Sequence, residues 1–392
     1  MLHTTNMRVA LVHDYIKEFG GAERVLKALA EIFPDAPIYT AFRVADSTAD
    51  KEFKNKKIIE SWLAPVLKIG NLYSPLRFLI PVIWGSFDLS KYDLVITSSS
   101  WYVTRGFKIG PKTIVIDYCH TPPRWLYGFE TSVGFIKYWP VKVYAAIVGH
   151  FMRIYDFKTA QKPARNATPA RQDVVSGGHS VAGGVDCFIA NSKNVAARIK
   201  KFYRRDSTVI YPPVDVSKII ESTKNIKKED YFLIVSRLVG AKGIEEAINL
   251  SEVIGFKLKI VGESSGYSRI EKEYKNKIEF LGRLSDEELF REYARAKALI
   301  TLARDEDFGM TAVEAQAAGT PVIAFNGGGF KETVIDGVTG ILINEISEKS
   351  LSAAIEKVKR TNWNREKLVE NVQKFSKERF INEIKKFVES RM

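Results

Sequence analysis

The sequence predicts an α/β protein made of parallel sheets in two domains. Short apolar runs of strand length alternate with stretches of helical period in both halves of the chain, the order that feeds a parallel sheet. At 392 residues the chain exceeds what one ordinary core holds. A stiff extended segment, Val209-Ile210-Tyr211-Pro212-Pro213-Val214-Asp215, separates the halves and reads as a hinge.

In the first half, Val9 to Val12 reads as a buried strand that ends at His13-Asp14-Tyr15. Phe19-Gly20-Gly21 comes next, then a helix with apolar positions Ala22, Val25, Leu26, Leu29 and Ala30. Two adjacent glycines either bring backbone close to a phosphate at the helix start or make a turn that needs positive φ. Residues 61–87 are rich in aromatics, with Lys68 and Arg77 interleaved, and prolines at 65, 75 and 81 break them into short pieces. Two readings stay open there: a surface that lies at a membrane interface, or a packed helical hairpin over the sheet. Asp93 to Ser98 and Thr113 to Asp117 read as strands. The second leads into Tyr118-Cys119-His120-Thr121-Pro122-Pro123-Arg124-Trp125, where the prolines fix His120 just past a strand's carboxyl end. A helix pattern runs from Val141 to Gln161. Residues 162–184 then break style, with Ala, Gly, Pro, Ser and Arg and no strand or helix period; they read as an inserted mobile loop carrying no chemistry. Val185 to Ala190 is the next strand, and Ser192 caps the helix after it.

The second half opens with a strand, Tyr231 to Val235, then Ser236-Arg237-Leu238-Val239-Gly240-Ala241-Lys242-Gly243 and a helix, Ile244 to Leu250. One Arg and one Lys match the two charges of a diphosphate without a metal, although two basic loop residues are commonly just solvated. Leu258 to Val261 is a strand, and Ile278 to Ser285 comes after it, with Ser285 and Glu288 forming a capping box. The stretch Leu302 to Gly319 is strand, loop and helix. Ala298 to Leu302 is the apolar run, Glu306 sits in the loop, and Met310 to Ala318 is helical with Glu314 about one turn in. In a parallel sheet that loop lies where ligands bind, and the N–H groups of Gly309, Met310 and Thr311 favour an anion. An exposed acidic loop before an amphipathic helix is the plainer alternative. Pro321 to Phe325 is a strand before Asn326-Gly327-Gly328-Gly329, and Trp363 to Met392 is helical.

Composition narrows the classes further. Two cysteines, Cys119 and Cys187, give no disulfide framework, and five scattered histidines give no metal-ligand spacing. The net charge of +13 is uneven: residues 1–200 hold 26 Lys and Arg against 16 Asp and Glu, or +10. A basic first half suits an anionic membrane surface or a lipid diphosphate; no nucleic-acid motif accompanies it. No apolar run reaches the roughly 18–20 residues of a spanning helix. The opening enters a strand without a secretory core, and Met7 is a candidate start. A reducing cytosol is the expected setting, at the inner face of the membrane.

The run E-D-F-G-M-T-A-V-E-A, continued by A-A-G-T-P-V-I-A, resembles the E-x7-E signature of retaining glycosyltransferases of family 4. S-R-L-x-x-x-K-G at 236–243, the Gly20-Gly21 loop and the His120 loop agree with the same family, and H-T-P-P-R-W resembles its mannosyltransferase-like members in bacterial and archaeal surface polysaccharide synthesis. The resemblance implies the GT-B fold, two Rossmann-like domains with parallel sheets facing a cleft. It places an acceptor-side domain at 1–210, a linker at 211–217, a nucleotide-sugar domain at 218–375, and a helix at 376–392 crossing back to the first domain. It implies catalytic roles for His120, Glu306, Arg237 and Lys242. It implies donor contacts from Gly20, Gly21, Arg237, Lys242, Leu284, Glu306, Phe308, Gly309, Met310, Thr311 and Glu314.

The implied reaction moves a hexose, mannose from GDP-mannose, to a glycan or polyprenyl-diphosphate-linked acceptor, with no cofactor and no metal. A nucleotide-sugar epimerase of the same fold and a non-catalytic glycan- or lipid-binding scaffold are the rivals. A dinucleotide dehydrogenase is disfavoured, because no G-x-G-x-x-G comes after the first strand.

Overall fold

The computed structural model describes residues 7–70, 72–128, 139–163, 181–263, 270–274 and 278–392. Seven parallel strands make the first sheet: β1 (Val9–His13), β2 (Ile38–Thr40), β3 (Ile58–Glu60), β4 (Leu94–Ser99), β6 (Ile114–Cys119), β8 (Cys187–Ala190) and β9 (Ser207–Val209). Their order is β3-β2-β1-β4-β6-β8-β9. The central strands are buried on both faces, as parallel strands must be. Val9 and Leu11 pack with Val25, Leu26 and Leu29 of the Gly21–Ile32 helix, while Ala10 and Val12 pack with Ile80, Ile83 and Trp84 on the other face. This period of two decides which helix covers which side.

The second sheet has six parallel strands: β10 (Phe232–Val235), β11 (Leu258–Val261), β12 (Glu279–Gly282), β13 (Leu299–Thr301), β14 (Val322–Phe325) and β15 (Gly340–Ile343). Their order is β12-β11-β10-β13-β14-β15. Both sheets start in the middle, run outward one way and then return to the other side of the first strand. The order therefore reverses between β1 and β4 and between β10 and β13, and such switch points are where open α/β sheets bind ligands. The α/β class with parallel sheets in two domains is what the sequence predicts.

The chain divides into two units. The first runs through Pro213 and takes back Phe380–Met392; the second is Val214–Arg379. The return is apolar: Phe380, Ile384, Phe387 and Val388 share one stripe of the Lys377–Glu389 helix and join the core beneath β1 and β4. The terminal helical pattern is two helices, Arg365–Gln373 and Lys377–Glu389.

The segment 61–87 is helical in pieces: Ala64–Leu67, a 3₁₀ turn at Pro75–Leu79, and Ile80–Gly85. Each piece begins with its proline in the first positions, where the missing N–H costs nothing. One expectation fails at the end of 162–184. That stretch reads as strandless, yet β7 (Val181–Ala182) pairs antiparallel with β5 (Lys108–Ile109). The edge of β5 offers backbone groups that any chain can satisfy, so no side-chain period was needed. Residues 164–180 lie outside the described residues.

Candidate active site

The second unit gathers charged groups at its switch point. β10 ends in the loop that carries Arg237 and leads to the 3₁₀ turn Gly240–Lys242. β13 ends in the loop that carries Glu306. The Nζ of Lys242 donates to Oε2 of Glu306 at 2.7 Å, with side-chain exposures of 29% and 19%. Arg237 is exposed, and its carbonyl is held by Val239 N–H and the Ser236 hydroxyl.

The Glu306 loop is held by backbone. Gly329 N–H donates to Glu306 O at 2.8 Å. Gly328 has φ +52, and a Cβ there would lie 2.2 Å from the same carbonyl oxygen. Only glycine fits this approach. Phe308 is buried, with its ring edge-on to Phe375 at 5.3 Å, so its side chain packs the loop in place. Gly309 then opens the Met310–Ala317 helix with no side-chain cap. The first N–H groups of a helix need a partner, and this end is therefore suited to an anion. Met310 and Thr311 at that end are half-buried.

Glu314 lies deeper than a loop carboxylate. It is 3% exposed, and the buried Tyr293 donates to its Oε2 at 2.8 Å. Nothing in the sequence marks Tyr293. Leu284 is half-buried in the loop between β12 and the Asp286–Arg295 helix, just before the capping box that the structure forms at Ser285 and Glu288.

The first unit has its own polar chain at its switch point. His13 and Ser98 are register partners at the ends of β1 and β4. His13 Nδ1 lies 3.1 Å from the Ser98 hydroxyl, and that hydroxyl lies 2.8 Å from Nε2 of His120. At the other end, His13 Nε2 lies 3.4 Å from Glu23. All three of His13, Ser98 and His120 are buried. A carboxylate only accepts, so His13 Nε2 donates to Glu23. Ser98 has one proton to give, so it donates to one of the two imidazoles and accepts from the other.

Glu23 has a second task. Its Oε2 accepts Gly20 N–H at 2.9 Å and completes a capping box at the helix start. Burial pushes its pKa up, but the His13 hydrogen bond and charge and the local N–H groups outweigh burial and hold it below the usual range. Gly20 has φ −131, so no left-handed turn explains the glycine pair. A carboxylate already occupies the N–H that a donor phosphate would take at Gly20. Asp14, beside His13, is buried and accepts from Ser100 and Trp101; burial raises its pKa.

Below His120 lies a buried charge network. Arg105 donates to Asp117 at 2.6 Å and to Asp156, and all three side chains are within 1% of full burial. Tyr127 donates to Asp156 at 2.6 Å, and Ser99 donates to Asp117 at 2.5 Å. Among the described residues, no group of three or more His, Cys, Asp or Glu is arranged to hold a metal ion.

Residues 215–375 match the family model for glycosyl transferases group 1. An uncharacterized glycosyltransferase of Methanocaldococcus jannaschii is 32% identical over 196 residues, covering 49% of this chain and 55% of that protein. The O-antigen chain mannosyltransferase RfbU of Salmonella typhimurium is 33% identical over 178 residues, covering 43% of this chain and 49% of that one. The matches span about half the length of these curated relatives. The solved structure of Anabaena HepE with UDP and glucose superposes with a TM-score of 0.63 over 98% of this chain and 100% of its own, at 17% identity. That likeness shows the fold, GT-B. The matched segment contains Arg237, Lys242, Glu306 and Glu314.

Proposed function

We propose that the protein is a retaining glycosyltransferase of the family 4 type. It moves a hexose from a nucleoside diphosphate sugar to an acceptor hydroxyl. The observation that carries this is the meeting of Lys242 and Glu306 beside the side-chain-uncapped helix start at Gly309. The neighbouring groups suit successive parts of one donor. Lys242, Arg237 and the N–H groups at Met310 and Thr311 stabilise the charge that grows on the departing diphosphate. Glu306 accepts from hydroxyls of the sugar. Glu314, anchored by Tyr293, binds ribose hydroxyls, and the backbone near Leu284 receives the base. His120 meets a sugar hydroxyl near the reacting carbon or assists the acceptor. With no nucleophile placed among the described residues, retention proceeds on one face, and the leaving phosphate takes the acceptor's proton.

The donor we favour is GDP-mannose, because the H-T-P-P-R-W loop and the RfbU match point the same way. The acceptor is a glycan, or a glycan on a polyprenyl diphosphate at the inner face of the membrane. HepE was solved with UDP and glucose, which makes uridine donors the comparison. The test is heat stability and nucleoside diphosphate release across a panel of nucleotide sugars. Selective stabilisation by GDP and GDP-mannose, with slow GDP release, is the expected result. A uridine nucleotide acting instead keeps the transferase and overturns mannose. No response to any nucleotide overturns the enzyme reading, and interconversion of free nucleotide sugars without an acceptor identifies an epimerase.

A further inference from the structure

The Trp139–Thr159 helix carries its apolar stripe on the side it exposes. Trp139, Val143, Ile147, Phe151 and Ile154 are between 42% and 76% exposed. Their spacing puts them within a sector of about 120°, a stripe about 22 Å long. Gly149, Met152, Asp156 and Thr159 fall on the opposite side and are buried. Single exposed apolar residues are ordinary, but a continuous stripe is not.

The stripe has a neighbour. Tyr144 of the same helix donates to the carbonyl of Pro75, which joins it to the 61–87 pieces. Those pieces expose Trp62 at 66%, Ile69 at 62%, Phe78 at 45% and Val82 at 48%. The exposed charges of the helix have one sign. Lys142, Arg153 and Lys158 are the exposed ionised groups of the helix, whose one acid, Asp156, is buried against Arg105. Residues 61–87 contain Lys68 and Arg77 and no Asp or Glu, and Lys68 pairs with Glu60 at 2.8 Å.

We propose that this face docks on the surface of an anionic phospholipid bilayer. Trp139, Ile147 and Phe151 enter the boundary between headgroups and acyl chains, and Lys142 and Arg153 meet lipid phosphates. Charge decides between occupants. A second copy of this chain would bring the same cations against themselves, whereas an anionic headgroup layer pairs with them. Among the described residues no helix is long and apolar enough to cross the membrane, so the face lies on it. Docking needs no donor and is therefore independent of the catalytic reading.

The experiment measures co-sedimentation with vesicles of phosphatidylcholine, with and without phosphatidylglycerol, and quenching of tryptophan by brominated lipid. Wild type is expected to bind only the phosphatidylglycerol vesicles, less so in high salt. Ile147→Glu with Phe151→Glu is expected to weaken binding by about tenfold or more, since each change puts a charge where an apolar group was buried. Val253→Glu, at an equally exposed apolar position of the second unit, is the control and should bind as wild type. Nucleoside diphosphate release without vesicles should be unchanged in the double variant, which separates a docking defect from a catalytic one. Unaltered vesicle binding by the double variant overturns the proposal. So does a wild type that ignores vesicles and forms a dimer that the double variant dissolves.

Discussion

Glu306→Gln should make the protein bind a bare nucleoside diphosphate more tightly. Lys242 donates to Glu306 at 2.7 Å, and both groups are mostly sheltered. A charge-assisted hydrogen bond contributes about 1.5–3 kcal/mol, and partial exposure lowers this to roughly 1–2. If Lys242 must leave Glu306 to reach the diphosphate, that coupling opposes binding. The Gln variant removes the opposition and loses nothing with a ligand that has no sugar. The expected gain is roughly 5–30-fold in affinity for the nucleoside diphosphate. With the full nucleotide sugar the same variant loses its sugar contact, and the gain shrinks or reverses. In a cycle with Lys242→Met, the double variant should lose more donor affinity than the two single losses added, by the same 1–2 kcal/mol or so. Titration calorimetry with both ligands measures every corner. Equal or weaker nucleoside diphosphate binding by Glu306→Gln would refute the reasoning, because Lys242 would then keep its partner in the complex.

Three other sets of contacts give predictions of their own. Gly328→Ala should cost donor affinity, because its Cβ would press on the Glu306 carbonyl; Gly337→Ala has a similar φ of +73 and nothing within 4 Å, so it should lose stability alone, by about 1–2 kcal/mol. Isothermal titration separates the two, and equal donor affinity in both variants would show that the Glu306 loop does not depend on this contact. Arg105→Met leaves Asp117 and Asp156 buried without their cation and should cost about 3–5 kcal/mol, or roughly 10 °C in melting temperature; a shift within a degree would show that both acids are neutral. The Glu23 carboxyl has a folded pKa below its unfolded value, so its stabilisation is complete above about pH 4.3 and fades as pH falls through the folded value. Wild type should therefore exceed Glu23→Gln in stability at neutral pH and converge with it in acid, and a gap that stays constant into acid would exclude this role.

Much of this was legible in the sequence because parallel strands announce themselves twice. Their apolar runs are nearly continuous, and the loop after each run lies at the carboxyl end of a sheet. Lys242 and Glu306 are 64 positions apart, yet their loops leave strands that sit side by side, β10 and β13. The hidden contacts need packing to be seen. Ser98 is one of several small polar residues at the end of β4, and only register sets it between two histidines. Tyr293 has a helical neighbourhood like any other aromatic and becomes informative only because Glu314 is buried beneath it. The glycine pair at 20 and 21 shows how much a neighbouring side chain adds. It reads as a phosphate loop, but a carboxylate three residues on already holds Gly20 N–H.

The two polar centres suit different partners. In the second unit Lys242 is held by Glu306, which a sugar hydroxyl can replace as partner, and the helix start at Gly309 has no side-chain cap. That arrangement can receive a diphosphate. In the first unit the corresponding helix start is filled by Glu23, and the charge is led inward through His13 and Ser98 to His120. Such a chain orients the His120 ring and suits neutral hydroxyls better than a phosphate. Ser98→Ala tests this directly, since it cuts the chain and leaves both imidazoles in place. Nitrogen chemical shifts of His120 should change from one tautomer to a mixture of both, while nucleoside diphosphate affinity stays as in the wild type. A loss of nucleotide binding in Ser98→Ala would place phosphate recognition in the first unit after all.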